Sequence, residues 1–461
     1  MAKQSKAMDM TTGSPLKLLV VFAIPMLLGA IFQLFYNMVD TIVLGRFVSE
    51  EALAAVGATE ATNSIFYHSN LALTNAVSIL ISHAWGAKNE TLLKNTVASI
   101  LKITLLCSAV MGLIAFFGAR PILQLLETPA NIIDNSVAYV QICYGMTIAP
   151  LMYNSLAAML RAIGDSRTPL LFLILCCLLN VALDLAFVLW LNAGVHGVAW
   201  ATVISQMLSV VLCVAYIGKK YPQLHFGREH LRSNRAITKK YWAVTLPMLI
   251  QNLGLTIGRL GISRIINPFG SDIVAAFTVG SKAESLTTVA FVQFTFSFSV
   301  FSGQNFGAKK YDRISHGFRT ATILVLSVVA VSMIVPLCFA PQIASLFVET
   351  DSELLMRNAI QMIQIEGLFL PGLAMILLIN SCLRGIGHIT PTFVSSVVEM
   401  VSKIVISASL SPFIGPTGIW LASPIGWVLG CIPGLWHYFF SGWKKKAIEA
   451  DQKELAAANA N

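Results

Sequence analysis

Charge is what this 461-residue chain has least of: Asp, Glu, Lys and Arg make up 11% of it, against 56% hydrophobic residues and a mean hydropathy of +0.74. Soluble domains carry about 25% charged residues, so an integral membrane protein is expected. Metal-type cysteine spacing is also missing. The eight cysteines (Cys107, Cys143, Cys176, Cys177, Cys213, Cys338, Cys382 and Cys431) all fall in apolar stretches and read as small core hydrophobes. No GxxxxGK[ST] loop is present, which argues against ATP hydrolysis, and the eight histidines form no HExxH pair. The chain does not read as an enzyme, and no cofactor is expected. Residues 1–15 are polar with no apolar core, so no cleavable secretory signal is expected. The net charge of +9 lies between apolar runs rather than in one patch; it reads as a topology signal, not a nucleic-acid surface.

The stretch from Leu16 to Gly45 is long enough to cross a bilayer at about 1.5 Å per residue. It contains Pro25 and then acquires Gln33, Tyr36, Asn37 and Asp40. Gln33, Asn37 and Asp40 are spaced by four and three residues, so they share one helical face. A carboxylate inside a span costs about 2.5–3.5 kcal/mol on insertion scales, so it usually faces a partner, an ion or a water-filled cavity.

Twelve apolar spans can be drawn, at 17–44, 52–82, 93–118, 133–160, 168–192, 197–219, 240–267, 273–304, 314–340, 356–383, 390–410 and 417–441. Lys and Arg crowd alternate connections, including 219–240 and the C-terminal tail. The opposite side holds only Arg46, Arg120 and Arg357 beside acids such as Glu349, Asp351 and Glu353. Both termini are therefore expected in the cytoplasm. The chain also repeats itself. Leu160-Arg161-Ala-Ile-Gly164 is echoed by Leu383-Arg384-Gly-Ile-Gly387, Trp85-Gly86-Ala87-Lys88 by Phe306-Gly307-Ala308-Lys309, and Pro25-Met26-Leu27 by Pro247-Met248-Leu249, all at a nearly constant offset. The expected architecture is all-α, with twelve transmembrane helices in two six-helix lobes related by a pseudo-twofold axis along the membrane normal. The lobes are expected at 1–219 and 240–441, with a cytoplasmic loop at 220–239 and a cytoplasmic tail at 442–461. Pro25, Pro150, Pro247 and Pro371 are candidate bends.

The halves do not share their polar groups. At the repeat's offset, Asp40, Asn180 and Asp184 correspond to Ile262, Ser402 and Ile406. Counting inward at about 1.5 Å per residue, Asp40 and Thr202 lie roughly 8 Å deep, Asp184 about 12 Å and Asn180 about 18 Å. Asp40, Asn180, Asp184 and Thr202 thus offer oxygens from separate spans of one lobe, suited to Na⁺ or, through paired carboxylates, to a proton. A polar network that only pins helices together is the competing reading. Tyr139 and Gln206 are candidates for a cavity surface, as is Asn154. Glu366 is a secondary candidate in the second half, while Lys282, Glu284, Glu399 and Lys403 read as structural ion pairs.

Pro25 through Asp40 to Gly45, Ala54-Ala55-Val56-Gly57, Trp85-Gly86-Ala87-Lys88, Arg161-x-x-Gly164-Asp165 with Pro169, and Asn180 with Asp184 together resemble the multidrug and toxic compound extrusion (MATE) transporters of bacterial type. The resemblance covers nearly the whole chain. It implies an antiporter in the bacterial cytoplasmic membrane that exports cationic or amphipathic compounds against inward Na⁺ or H⁺, working as a monomer within lipid. Its first-lobe cation site falls on Asp40, Asn180, Asp184 and Thr202, and its drug-contacting positions fall near Gln33, Tyr36 and Asn154. Span seven offers Gln251, Asn252, Arg259 and Arg264 but no acid, which departs from branches carrying an acid there. A lipid-linked oligosaccharide flippase of the same superfamily would need a strongly basic cavity, and basic residues within spans are few (Lys102, Arg259, Arg264, Lys282, Lys403). A non-transporting receptor or scaffold has no need of repeated lobes.

Overall fold

The computed structural model describes residues 7–231, 234–348 and 352–459. Lys3, Lys6, Arg232, Glu349 and Asp351 lie outside the described residues, as do the side chains of Tyr36, Asn37, Asp40 and Arg46, whose backbone is helical. Among the described residues all regular structure is helical. In the first half run α1 (Pro15–Val43), which continues as a π-helical turn (Leu44–Val48), then α2 (Glu50–Ala58), α3 (Glu60–Gly86), α4 (Glu90–Leu125), α5 (Ile133–Gly145), α6 (Ile148–Ala162), α7 (Arg167–Leu189) and α8 (Gly194–Lys220). The second half holds α9 (Arg235–Ile266), α10 (Ser271–Gly307), α11 (Tyr311–Ser332), the short α12 (Ile334–Cys338) and α13 (Ala340–Ser345), α14 (Glu353–Leu368), α15 (Leu370–Gly385), α16 (Ile389–Ile414), α17 (Thr417–Phe440) and a terminal α18 (Trp443–Asn459).

Every one of the twelve expected spans coincides with a helix or a broken helix pair. By length and apolar content, eight described helices are able to cross a membrane, or nine if α14 and α15, bent by 52°, count as one. The remaining segments, α2–α3, α5–α6 and α9, are interrupted or carry polar residues such as His68, Asn70, Gln251 and Asn252. Pro150 and Pro371 stand at the start of α6 and α15, just past the two breaks, where a missing N–H costs the helix nothing. Pro25 and Pro247 lie inside α1 and α9.

The described residues group into two compact units. One takes the residues up to Asp9 with Ile24–Leu249; the other takes Met10–Ala23 with Ile250–Asn461. In each, the repeated motif closes a helix in the same way. After α6, Gly164 N donates to Arg161 O at 2.9 Å and Asp165 N to Leu160 O at 2.9 Å, with Gly164 at φ +97°. After α15, Gly387 N donates to Arg384 O at 2.9 Å and His388 N to Leu383 O at 2.8 Å, with Gly387 at φ +81°. Both are left-handed helix ends in which a glycine satisfies carbonyls the helix leaves open. Lys88 and Lys309 adopt φ of +53° and +59° at the ends of α3 and α10. The aromatic pair Tyr216–Tyr221, with ring centroids 6.0 Å apart, recurs at the matching positions of the second half as Tyr438–Trp443 at 5.8 Å. The duplication is therefore structural as well as textual.

Close packing in the second unit uses small residues, as membrane helices do. Gly426, Gly430 and Gly434 line one face of α17. A Cβ on Gly426 would meet Lys403 Cγ at 2.7 Å, and one on Gly430 would meet Glu399 Cβ at 2.9 Å, so α16 and α17 approach backbone to side-chain root. The cysteines correct the core reading in part: Cys143, Cys213, Cys382 and Cys431 are buried, Cys107, Cys176 and Cys177 are half-buried, and Cys338 is exposed. An apolar helix surface can face lipid, so residence in an apolar run does not fix burial.

Candidate cation site

The pair Asn180 and Asp184 sits one turn apart on one face of α7, and both are fully buried. α8 comes close because it begins with glycine: a Cβ on Gly197 would meet Phe187 Cβ at 2.9 Å. That approach brings Thr202 of α8 to α7, where Asn180 Nδ2 donates to Thr202 Oγ1 at 3.3 Å. Thr202 Oγ1 in turn donates to Val198 O, 3.1 Å away, which fixes its rotamer. Asn180 and Thr202, on successive helices, are thus joined directly, with the Asp184 carboxylate one turn further along the same face.

The third helix is α1. A Cβ on Gly29 would stand 3.6 Å from Leu170 Cδ1 and Leu173 Cδ2 of α7. Nearer its end, Val39 and Val43 pack with Leu185 and Val188 of α7 and Val198 of α8. Asp40 follows Val39 directly, so the turn of α1 that carries it runs beside the turn of α7 that carries Asp184. The side chains of Asp40, Tyr36 and Asn37 lie outside the described residues.

Of the cavity candidates, Gln206 is half-buried one turn past Thr202 on α8, and Tyr139 is half-buried on α5, which packs on α8. Asn154 of α6 turns its Nδ2 onto Pro150 O of its own helix at 2.9 Å. Gln33 is exposed on α1. Asp165, although part of the repeated motif, is taken up structurally. Its carboxylate accepts from Thr168 N at 3.0 Å, Thr168 Oγ1 at 2.8 Å and Tyr221 Oη at 2.9 Å. Burial, followed by the charge of that carboxylate, pushes the Tyr221 hydroxyl above its ordinary pKa.

In the second unit, Glu366 is 3% exposed in α14, and its Oε2 has no hydrogen-bond partner among the described residues. It shares a small cavity with Glu284 and Thr287 of α10. Lys403 Nζ pairs with Glu399 Oε1 at 2.7 Å, as a structural ion pair should, and stands 5.5 Å from the Trp427 ring. Lys282 lies over the Phe347 ring at 5.9 Å. Sequence reasoning missed the imidazole pair His388–His437 at 2.8 Å. Its one trace in the sequence is a mismatch within the repeat, where Gly164-Asp-Ser is answered by Gly387-His-Ile.

These helices and motifs are shared with known proteins. The MatE family model matches residues 25–186 and again 247–408, so the second match begins and ends at the offset of the repeat. "Probable multidrug resistance protein YoeA" of Bacillus subtilis (strain 168) is 27% identical over 438 residues, covering 93% of this chain and 94% of its own. "Probable multidrug resistance protein YpnP" of the same organism is 25% identical over 441 residues, covering 95% and 98%. The crystal structure of "MATE in the bent conformation" superposes with a TM-score of 0.88 at 22% identity, over 98% of this chain and 100% of that one, and so shares the fold. With the family's model met once in each half, and a helix or broken helix pair at each of the twelve expected spans, the chain belongs to the MatE family of multidrug and toxic compound extrusion transporters.

Proposed function

We propose that this multidrug efflux transporter is an antiporter that couples export of cationic or amphipathic organic compounds to inward Na⁺ or H⁺ by alternating access, and that Asp40, Asn180, Asp184 and Thr202 form the coupling site. One observation carries the reading: the part-buried Asn180–Thr202 contact at 3.3 Å with fully buried Asp184 one turn away. A carboxylate, an amide and a hydroxyl held by two helices in apolar surroundings are the hard oxygen donors that Na⁺ takes, and the same carboxylate can hold a proton. Packing of the Val39–Val43 turn of α1 against α7 and α8 supports Asp40 as a fourth donor. Gln33, Tyr36, Asn37, Tyr139, Asn154 and Gln206 would contact cargo, with Glu366 a secondary acid.

A cation can shift the protein between states only by its differential affinity for them, so the site must be more complete in one state than in the other. The two lobes would span 1–219 and 240–441, joined by a loop at 220–239 and followed by a tail at 442–461. The protein would act as a monomer in the cell membrane with both termini in the cytoplasm. The test is direct: added Na⁺, or a step to lower pH kept above about 6.5 so that His388 does not titrate, should raise the melting temperature of the purified protein, and Asn180→Ala with Thr202→Ala should remove that response. A response preserved in the double variant would contradict the assignment.

A further inference from the structure

At one end of the second unit, the start of α16 and the end of α17 enclose an open cavity of about 550 Å³, lined among others by His388, Pro391, Val394, Pro433, Trp436 and His437. The polar groups gather at its rim. His388 Nδ1 lies 2.8 Å from His437 Nε2, so one ring donates and the other accepts, and Lys446 of α18 faces both rings. Arg384, the other base on that turn, points at Ser381 Oγ, 3.4 Å away. The remainder of the groove is apolar and open outward: Val394 is 42% exposed and Trp436 61%. In the first half the corresponding positions of the repeat are Asp165 and Ala215, so the imidazole pair belongs to the second half alone.

The groove begins where two apolar spans end, the level at which headgroups and indole rings meet. A rim of one ammonium and a neutral imidazole pair, above an apolar slot, matches a ligand with an anionic head and a hydrocarbon tail. We propose that this groove seats one anionic phospholipid, with its phosphodiester at His388, His437 and Lys446 and an acyl chain along Val394 and Trp436. Burial first, then His437 and Lys446, hold His388 down to about 4. A phosphodiester at the rim would offset the two electrostatic causes, which is the complementarity a bound anion requires.

The test uses the full chain in nanodiscs of equal parts phosphatidylglycerol and phosphatidylcholine, followed by mild detergent extraction and native mass spectrometry of the retained lipid. One phosphatidylglycerol should remain bound in preference to phosphatidylcholine. Lys446→Gln and His388→Gln should each weaken its retention, about fivefold for the lysine, the factor for one basic contact with an anionic headgroup. Val394→Trp, which fills the slot, should abolish it. Lys446 is exposed, so its substitution reports even if His388→Gln fails to fold. Equal retention of phosphatidylcholine, undiminished retention in the Lys446 variant, or displacement of the lipid by inorganic phosphate alone would overturn the proposal.

Discussion

Lys403 Nζ lies 2.7 Å from Glu399 Oε1, one turn back along α16 and inside a span. Lys403 also faces Glu284 of α10 and, less strongly, Glu366 of α14, so a single ammonium serves half-buried Glu399 and Glu284 and buried Glu366 on three helices. Removing one partner of a buried pair leaves the other charge uncompensated, at a cost of about 3–5 kcal/mol. Lys403 is only half-buried, so Lys403→Met should destabilise the protein by less than that, on the order of 1–3 kcal/mol, and by more than Glu399→Gln, which leaves the Lys403–Glu284 interaction standing. Denaturant unfolding in micelles checks the order; equal stability of Lys403→Met and wild type would contradict it.

The helix contacts make two glycines behave oppositely. A Cβ on Gly430 would come within 2.5 Å of Ile376 Cδ1 and 2.9 Å of Glu399 Cβ, whereas a Cβ on Gly57 meets nothing within 4 Å. Gly430→Ala should lower stability by about 1–3 kcal/mol through overpacking. Gly57→Ala, within α2, should raise it by about 0.5–1 kcal/mol. Melting temperatures of the two variants should move in opposite directions.

Lowering pH should weaken the second unit through His388. Its pKa is held down to about 4 from 6.5 by burial, then by His437 and Lys446. The unfolded chain therefore binds a proton between about pH 6.5 and 4 that the folded chain does not. Stability is full above that window and falls as pH drops through it, by on the order of 1–3 kcal/mol for this half-buried group. Unfolding measured in detergent across pH 7 to 4 should show this slope, and His388→Gln should flatten it.

Much of this molecule is legible in its sequence, and the reasons differ by residue. Asn180 and Asp184 stand out because an i,i+4 polar pair in an apolar run has few structural uses, and Thr202 follows from depth along α8. The duplication is readable because its turns need Gly164 and Gly387 in left-handed backbone, which restricts the residue type. Pairings across helices are not readable. Which face of α10 meets α16, and hence that Glu284 faces Lys403, depends on helix rotation that no periodicity fixes. The passage of α1 from one unit to the other between Ala23 and Ile24 leaves no mark either, because the apolar run continues unbroken through Pro25. His388 and His437 lie far apart in the chain and meet only because of tight α16–α17 packing on glycine.

Deletion of the Asp184 charge addresses coupling with the least change of shape. The wild-type protein and Asp184→Asn, reconstituted in vesicles loaded with a fluorescent organic cation, should be compared under an inward Na⁺ gradient and, separately, an inward H⁺ gradient. The wild type should expel the dye faster under at least one gradient than without any, and Asp184→Asn, incorporated to the same level, should lose that acceleration entirely. Gradient-driven efflux undiminished in Asp184→Asn would contradict a coupling site built on α7.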